Sequence, residues 1–178
     1  MRELDDKALP PHLILVGLPG VGKTTIGRGA AKMLGRPFLD FDAEIERREG
    51  KPVREIFREL GEDHFRALEA ALTLELSVTG GMVLSPGGGW VTQPASVELL
   101  RLAGRIIYLR AAPEAVAKRL RRVETRPMLA GRDPLVGLRE LYEKRRAAYE
   151  TADAVLDTEK LSRQQLIARV VELGLASG

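Results

Sequence analysis

The stretch that decides the fold is GLPGVGKTT, residues 17–25, which directly follows the apolar run HLILV, residues 12–16. A short apolar run is typical of a strand that is buried on both faces of a parallel sheet. The residues from Thr24 onward, TTIGRGAAKMLG, have apolar side chains at helical spacing and end in Gly35, a residue type that often ends helices. A glycine-rich loop between a strand and a helix matches the phosphate-binding pattern G-x-x-x-x-G-K-[ST]. The sequence therefore predicts a nucleotide-binding loop rather than an ordinary turn.

The chemistry of this loop explains its composition. Glycine has no Cβ, so successive backbone N–H groups can converge on a phosphate at the N-terminus of the following helix. Lys23 can reach the β and γ phosphates, and the Thr24 hydroxyl can bind Mg²⁺. GTPases, ATPases and kinases share this loop, so it does not identify the phosphate acceptor. The N-K-x-D motif with which GTPases read the base does not occur in the sequence, which favours a kinase of a small metabolite.

The composition limits the class of protein. A length of 178 residues predicts a single domain over residues 1–178, and 44% hydrophobic with 30% charged residues suits a soluble globular protein. The absence of cysteine excludes a disulfide scaffold and a thiolate metal site. Aromatic residues make up only 4%, and the net charge of +3 comes from scattered basic residues. We therefore expect an anionic small-molecule substrate and no nucleic-acid partner.

The same composition guides expectations about location and assembly. The first 11 residues carry acidic side chains and no apolar core, unlike a signal peptide, and no run of 18 apolar residues occurs. We expect a cytoplasmic protein that does not enter a membrane, with residues 1–11 as a disordered extension. No wide apolar patch is evident in the sequence, which favours a monomer.

Strands and helices alternate along the whole sequence. After the first strand, the segments RPFLDFD, MVLS, RIIYLR and DAVLDT are predicted strands, and helical spacing occurs between them, including a long helix over residues 62–79. This alternation predicts an α/β fold with a parallel sheet. Residues 123–133 lack a regular apolar period and contain Pro127 and Gly131, which predicts a mobile lid.

Two acidic residues follow the second predicted strand. Asp40 and Asp42 lie at its carboxyl end, where open parallel sheets bind their ligands. If the extended conformation continues, their i, i+2 spacing points both side chains to the same face. One carboxylate could then serve a metal ion while the other contacts a substrate hydroxyl. The alternative is that both are solvated loop residues.

Other candidate residues for the acceptor lie farther along the chain. The triple glycine at residues 87–89 allows either close approach to a ligand or a flexible turn. Arg66 could bind a ligand or pair with Glu69. Arg145 shares a helix face with Leu138, Tyr142 and Tyr149, so it either binds a substrate carboxylate or extends along the apolar surface into solvent. The two histidines, at positions 12 and 64, are interpreted as surface residues without a role.

Taken together, the motifs resemble the shikimate kinase family in order and spacing. They are GLPGVGKTT, FLDFD, HFRALE, VLSPGGG, RPMLAG and KRRAAY, and the resemblance covers residues 12–157. It implies the nucleoside-monophosphate-kinase type of P-loop fold, with five parallel strands in the order 2-3-1-4-5. It also implies phosphorylation of a hydroxyl of shikimate by ATP, within the biosynthesis of aromatic amino acids.

The resemblance also implies roles for individual residues. ATP would lie on the phosphate loop, with Arg119 against adenine and Arg126 of the lid closing on the phosphates. Thr24 would bind Mg²⁺ directly and Asp40 would bind it through water. The catalytic residues implied are Lys23, Asp42 and Arg126; the ATP-binding residues are Gly20, Val21, Gly22, Lys23, Thr24, Thr25, Arg119 and Arg126; and the shikimate-binding residues are Asp42, Arg66, Gly87, Gly88, Gly89 and Arg145.

This sequence departs from the family in two places, and two other functions remain open. Pro86 precedes the triple glycine, which should stiffen that turn. No residue near positions 159–162 matches the family's adenine contact. A kinase of another polyol acid, such as gluconate, could use similar donors. A non-catalytic ligand sensor on the same fold is a third possibility, although 11 residues before the first strand leave no room for a DNA-binding module.

Overall fold

The computed structural model describes residues 9–121 and 133–176. Its strands and helices alternate along the chain, as the sequence predicts, with one short 3-10 helix at Trp90–Thr92. The strands are β1 His12–Val16, β2 Phe38–Asp40, β3 Val83–Ser85, β4 Gly104–Arg110 and β5 Ala154–Asp157. The helices are α1 Lys23–Leu34, α2 Phe41–Glu49, α3 Val53–Ser77, α4 Pro94–Arg101, α5 Pro113–Arg121, α6 Pro134–Tyr149 and α7 Arg163–Leu175.

The five strands form one parallel sheet in the order β2-β3-β1-β4-β5, which confirms the expected fold class. Strand β1 lies in the centre, and all five of its residues are buried. Helices α1 and α7 pack against each other and both contact β1, while α3 packs against α4 and α5 against α6. Because parallel strands end at the same edge of a sheet, the loops after β1, β2 and β3 are brought together there.

Local signals fix most of the helix ends. Gly35 ends α1 in the left-handed conformation, with φ 63°, as the sequence predicts. Ser162 caps α7 and forms a capping box with Gln165. Helix α3 is interrupted at Gly61, where φ is 84° and ψ is 171°. The long helix expected over residues 62–79 is therefore the second part of α3, and it ends two residues earlier, at Ser77.

His12 is not a surface residue, so that interpretation was wrong. It is the first residue of β1, and its side chain is fully buried. Its Nδ1 accepts a hydrogen bond from the backbone N–H of Met82 at 3.2 Å, which leaves the proton on Nε2 for the carbonyl of Leu76 at 3.0 Å. Burial lowers the pKa of His12, and the nearby Arg36 charge acts in the same direction. His64 is exposed, as expected.

The proposed lid and extension fall largely outside the described residues. Of the extension, residues 9–11 are described, and the Pro10 carbonyl accepts a hydrogen bond from the Gly81 N–H at 2.5 Å. Of residues 123–133, only Asp133 is described; it caps α6 and forms an ion pair with Arg121 at 2.7 Å. Within the described ranges, no helix has the length and apolar character needed to cross a membrane.

Candidate active site

The phosphate loop joins the end of β1 to the start of α1. Gly20 and Gly22 have φ values of 83° and 109°, a region that residues with a Cβ rarely adopt. Gly22 caps α1 without a side chain, and the first turn of the helix has no acidic residue. The positive end of the helix dipole therefore faces the cleft without a carboxylate of its own turn to neutralise it.

Lys23 is the charged group of this loop. Its Nζ donates hydrogen bonds to the carbonyls of Gly17 at 2.8 Å and Leu18 at 2.9 Å, so the side chain curls back over the loop. Burial lowers the pKa of Lys23 to about 8; the Arg145 charge lowers it further, and two nearby carboxylates oppose the shift. The ammonium group is thus held in a desolvated position, where it interacts more strongly with a phosphate than it would in water.

Asp40 and Asp42 do not lie on one extended strand, so the predicted i, i+2 arrangement was wrong. Asp40 ends β2 and its Oδ1 accepts a hydrogen bond from the Ala43 N–H at 3.0 Å, which caps α2. An aspartate at this position satisfies a helical N–H, and this favours starting a helix immediately. Asp42 therefore lies in the first turn of α2. Both residues nevertheless line the same cleft.

The oxygen ligands suit Mg²⁺. The Thr24 hydroxyl donates to Asp40 Oδ2 at 3.4 Å, so a hydroxyl and a carboxylate lie side by side next to the phosphate loop. No cluster of three or more His, Cys, Asp or Glu residues that could hold a metal occurs in residues 9–121 or 133–176. Mg²⁺ in nucleotide sites takes one or two protein ligands and completes its shell with phosphates and water, so Thr24 and Asp40 fit the ion.

Charged side chains surround the triple glycine. A Cβ on Gly87 would lie 2.6 Å from Glu69 Oε1 and 2.8 Å from Asp42 Oδ1, and one on Gly88 would lie 2.7 Å from Arg145 Nη1. A Cβ on Gly89 would collide with the guanidinium of Arg66. The three glycines are therefore required for close approach, because each leaves room for a different charged group. The structure thus brings two carboxylates and two guanidinium groups together at the end of β3.

Several of these groups lack a partner. Of the described residues, four have a buried side-chain polar atom without a hydrogen bond, namely Asp42 Oδ1, Glu69 Oε1, Arg145 Nη1 and Tyr149 Oη. The first three lie against the triple glycine. Buried polar atoms in folded proteins are nearly always paired, and an unpaired one needs a specific explanation. A bound polar molecule would provide the missing partners.

Both carboxyl groups of this cluster have raised pKa values. Burial raises the pKa of Asp42 to about 6, with further increases from Asp40 and Glu69 and an opposing effect from Lys23. Burial also raises the pKa of Glu69, which the nearby Arg66 counteracts. Raised carboxyl pKa values in a cleft are typical of functional sites. The neutral form of Asp42 is thereby made accessible near physiological pH.

Arg66 is held by its own helix. Its guanidinium contacts Glu69 at 2.5 Å and Glu62 at 3.3 Å, so the pairing with Glu69 that the sequence left open is present. Glu69 is fully buried, and its second contact is Gln93 Nε2 at 2.8 Å. Gln93 was not predicted, since an amide after a glycine turn carries no sequence signal. The pairing leaves the guanidinium of Arg66 against Gly89, at the end of the triple glycine.

The other end of the cleft lies beyond the phosphate loop. Arg119 donates to the Val21 carbonyl at 3.4 Å and to the Thr158 carbonyl at 3.0 Å, so it bridges the loop and the end of β5. The cleft from the phosphate loop to Gly87 and Gly88 has a volume of about 840 Å³, enough for a nucleotide beside a small acceptor. Residues after β5 that sequence reasoning did not assign also line it; they are Thr158, Leu161, Arg163 and Leu166. Arg126 lies outside the described residues.

A phosphate loop on the central strand, beside a pocket of opposed carboxylates and guanidinium groups, defines a P-loop phosphotransferase for a small polar acceptor. The chain belongs to the shikimate kinase family, whose sequence profile matches residues 19–173. It is 44% identical over 161 residues to a shikimate kinase of Desulforudis audaxviator, covering 90% of this chain and 85% of that protein. It is 47% identical over 152 residues to one of Thiobacillus denitrificans, covering 85% and 83%.

A solved structure supports the same relationship. The shikimate kinase from Acinetobacter baumannii in complex with shikimate has a TM-score of 0.82 to this chain. The two are 38% identical, and the match covers 94% of each chain. The chain described therefore matches the shikimate kinase family in both sequence and fold over nearly its whole length.

Proposed function

We propose that the protein transfers the γ-phosphoryl group of ATP to a hydroxyl of shikimate, giving shikimate 3-phosphate for aromatic amino-acid biosynthesis. The observation that carries this proposal is the set of opposed charges around the triple glycine. Asp42 Oδ1 and Arg145 Nη1 are both buried and unpaired there. A molecule with hydroxyl groups to donate and a carboxylate to accept would satisfy both, and shikimate has both.

The nucleotide would lie on the phosphate-loop side of the cleft. The backbone of residues 20–25 would cradle the β and γ phosphates, and Lys23 would neutralise the charge that develops between them. Thr24 and Asp40 would hold Mg²⁺, which supplies electrostatic stabilisation of the phosphates when bound. Arg119 would lie against adenine at the end of β5, and Arg126 would act from the proposed lid.

The acceptor would lie against the triple glycine. The planar guanidinium groups of Arg66 and Arg145 suit a carboxylate, because each can donate two parallel hydrogen bonds. Asp42 and the backbone of Gly88 would then contact the hydroxyl groups at the opposite side of the ring. This orientation directs one hydroxyl towards the phosphate loop, where Lys23 and Asp42 interact electrostatically.

In the reaction, the acceptor oxygen forms a bond to the γ phosphorus while the bond between that phosphorus and the bridging oxygen of ADP breaks. The hydroxyl proton must leave, and Asp42 would accept it. A pKa raised to about 6 makes this carboxylate a better base than an exposed aspartate. Asp42 could instead only orient the hydroxyl, with the proton leaving late through the phosphate, because the transition state is loose.

The test is an ADP-release assay with shikimate, with gluconate and without an acceptor, each with ATP and Mg²⁺. We expect turnover that depends on shikimate, with gluconate close to the background without acceptor. Turnover with gluconate that equals or exceeds that with shikimate would assign the pocket to another polyol acid. ATP hydrolysis that neither acid stimulates would refute an acceptor site altogether.

A further inference from the structure

Two of the unpaired buried atoms belong to one helix and lie one turn apart. Arg145 Nη1 and Tyr149 Oη are both on α6, at positions i and i+4, which face the same side of a helix. A guanidinium has only donors, whereas a phenol oxygen can accept. The two groups are therefore complementary, and neither of these two atoms has a hydrogen-bond partner among the described residues.

The ring of Tyr149 is fixed in place. Its side chain is only 1% exposed and stacks on Tyr108, with ring centroids 4.9 Å apart and an angle of 14° between the planes. Tyr108 lies on β4, paired in register with Val16, the last residue before the phosphate loop. The phenol ring is thus anchored to the sheet next to the strand that leads into the phosphate loop, whereas the side chain of Arg145 has several rotatable bonds.

We propose that Tyr149 is a positioning residue for the acceptor site: its hydroxyl accepts a hydrogen bond from the Arg145 guanidinium and so aims that group at the carboxylate of the acceptor. The inference rests on the proposed function, because it concerns the residue assigned to the shikimate carboxylate. The guanidinium also lies against the backbone of Gly88, which limits its movement in that direction. Between the turn and the phenol, Arg145 has little freedom to point elsewhere.

Electrostatics agree with this contact. Burial raises the pKa of Tyr149, and both the charge and the hydrogen bonding of Arg145 act against that increase. Arg145 Nη1 and the phenol oxygen each lack a hydrogen-bond partner among the described residues, so both are available to pair. Binding of a carboxylate fixes the plane of the guanidinium, and we infer that the bond to Tyr149 forms fully at that point.

The alternative is that Tyr149 only fills the core. Phenylalanine would occupy the same volume and stack equally well on Tyr108, without burying an oxygen that has no protein partner. Burying an unsatisfied hydroxyl costs stability, whereas replacing it by an apolar group of the same shape can be neutral or favourable. Both roles therefore predict that Tyr149→Phe keeps or gains stability, but only the positioning role predicts that it weakens binding of the acceptor.

The experiment compares wild type with Tyr149→Phe and, as a matched control, Tyr108→Phe. The control removes the hydroxyl of the other member of the stack and keeps both rings. We expect Tyr149→Phe to raise the Kd and KM for shikimate about tenfold, since a hydrogen bond to a charged group is lost. Its Tm should be unchanged or higher, and its KM for ATP and kcat at saturating shikimate should match wild type. Calorimetric titration with shikimate gives the Kd independently of turnover.

A double variant tests the route of the effect. In an Arg145→Lys background the planar donor is already lost, so adding Tyr149→Phe should weaken shikimate binding by less than twofold. Equal shikimate Kd values for wild type and Tyr149→Phe would refute the positioning role. A lowered Tm with kcat and both KM values affected would show that the hydroxyl supports the fold in general rather than the aim of Arg145, and would also refute it. Wild type that neither binds nor turns over shikimate would refute the proposed function itself, and the inference with it.

Discussion

Replacement of Gly88 by alanine isolates the contribution of the triple glycine to acceptor binding. Gly88 does not have a positive φ, so alanine can adopt its backbone conformation. The added methyl group, however, would lie 2.7 Å from Arg145 Nη1. The far end of an arginine can move, whereas the backbone of the turn cannot. We therefore expect the variant to fold normally and to displace the guanidinium.

The size of the effect follows from this distance. To restore an ordinary van der Waals contact of 3.4 Å from 2.7 Å, the guanidinium must retreat by about 0.7 Å. A misplacement of about 1 Å at a reacting or binding group can cost about 100-fold in rate. We predict that kcat/KM for shikimate falls by about 10- to 100-fold, while KM for ATP changes little because the phosphate loop is not touched.

The assay is ADP release at varied shikimate and at varied ATP, together with a thermal unfolding curve. The control is Gly137→Ala on the same helix as Arg145, where a Cβ would meet nothing within 4 Å. This exposed helical site should gain about 0.5–1 kcal/mol of stability from alanine and keep normal kinetics. An unchanged shikimate KM in Gly88→Ala would show that Arg145 does not hold the acceptor where we place it.

Three further variants test the reaction. Asp42→Asn should lower kcat by about 10²–10⁴, and a kcat reduced only a few-fold would leave Asp42 as a positioning residue. Because burial raises the pKa of Asp42 from 3.8 to about 6, the wild type should lose stability as pH rises through this range. The variant should lack this loss in unfolding experiments across pH. Lys23→Ala should nearly abolish phosphoryl transfer; a loss under about tenfold in kcat would contradict its role. Arg145→Lys should raise KM for shikimate and leave ATP affinity intact, and the reverse pattern would show that the assignment is wrong.

The fold could be predicted because its signals are local. The apolar run of β1, the loop after it and the stop at Gly35 each need only a few neighbouring residues, and the structure confirms all three. Strands β2 and β3 have only three residues each, too few for periodicity to order them in the sheet. Their order came from the family resemblance, which carries information that spacing alone does not.

The site could be predicted only in part, because its contacts join distant segments. Sequence reasoning identified Asp42 and Arg145 as separate candidates but could not show that Gly87 and Gly88 bring them together. The prediction that Asp40 and Asp42 share one face of a strand was wrong, because the strand ends at Asp40 and Asp40 caps the next helix. His12 was wrongly interpreted as a surface residue. Its hydrogen-bond partners are the backbone groups of Leu76 and Met82, which are distant in sequence, and no local pattern indicates them.

The interruption of α3 at Gly61 has a consequence for changes in chain length. Inserting one residue into a continuous helix rotates everything beyond it by about 100°, which would turn Arg66 and Glu69 away from the triple glycine. Gly61 is already non-helical, and a Cβ there would meet nothing within 4 Å. An extra residue at this point can be absorbed by the break, so insertions between residues 60 and 62 should be tolerated where insertions between residues 66 and 69 abolish activity.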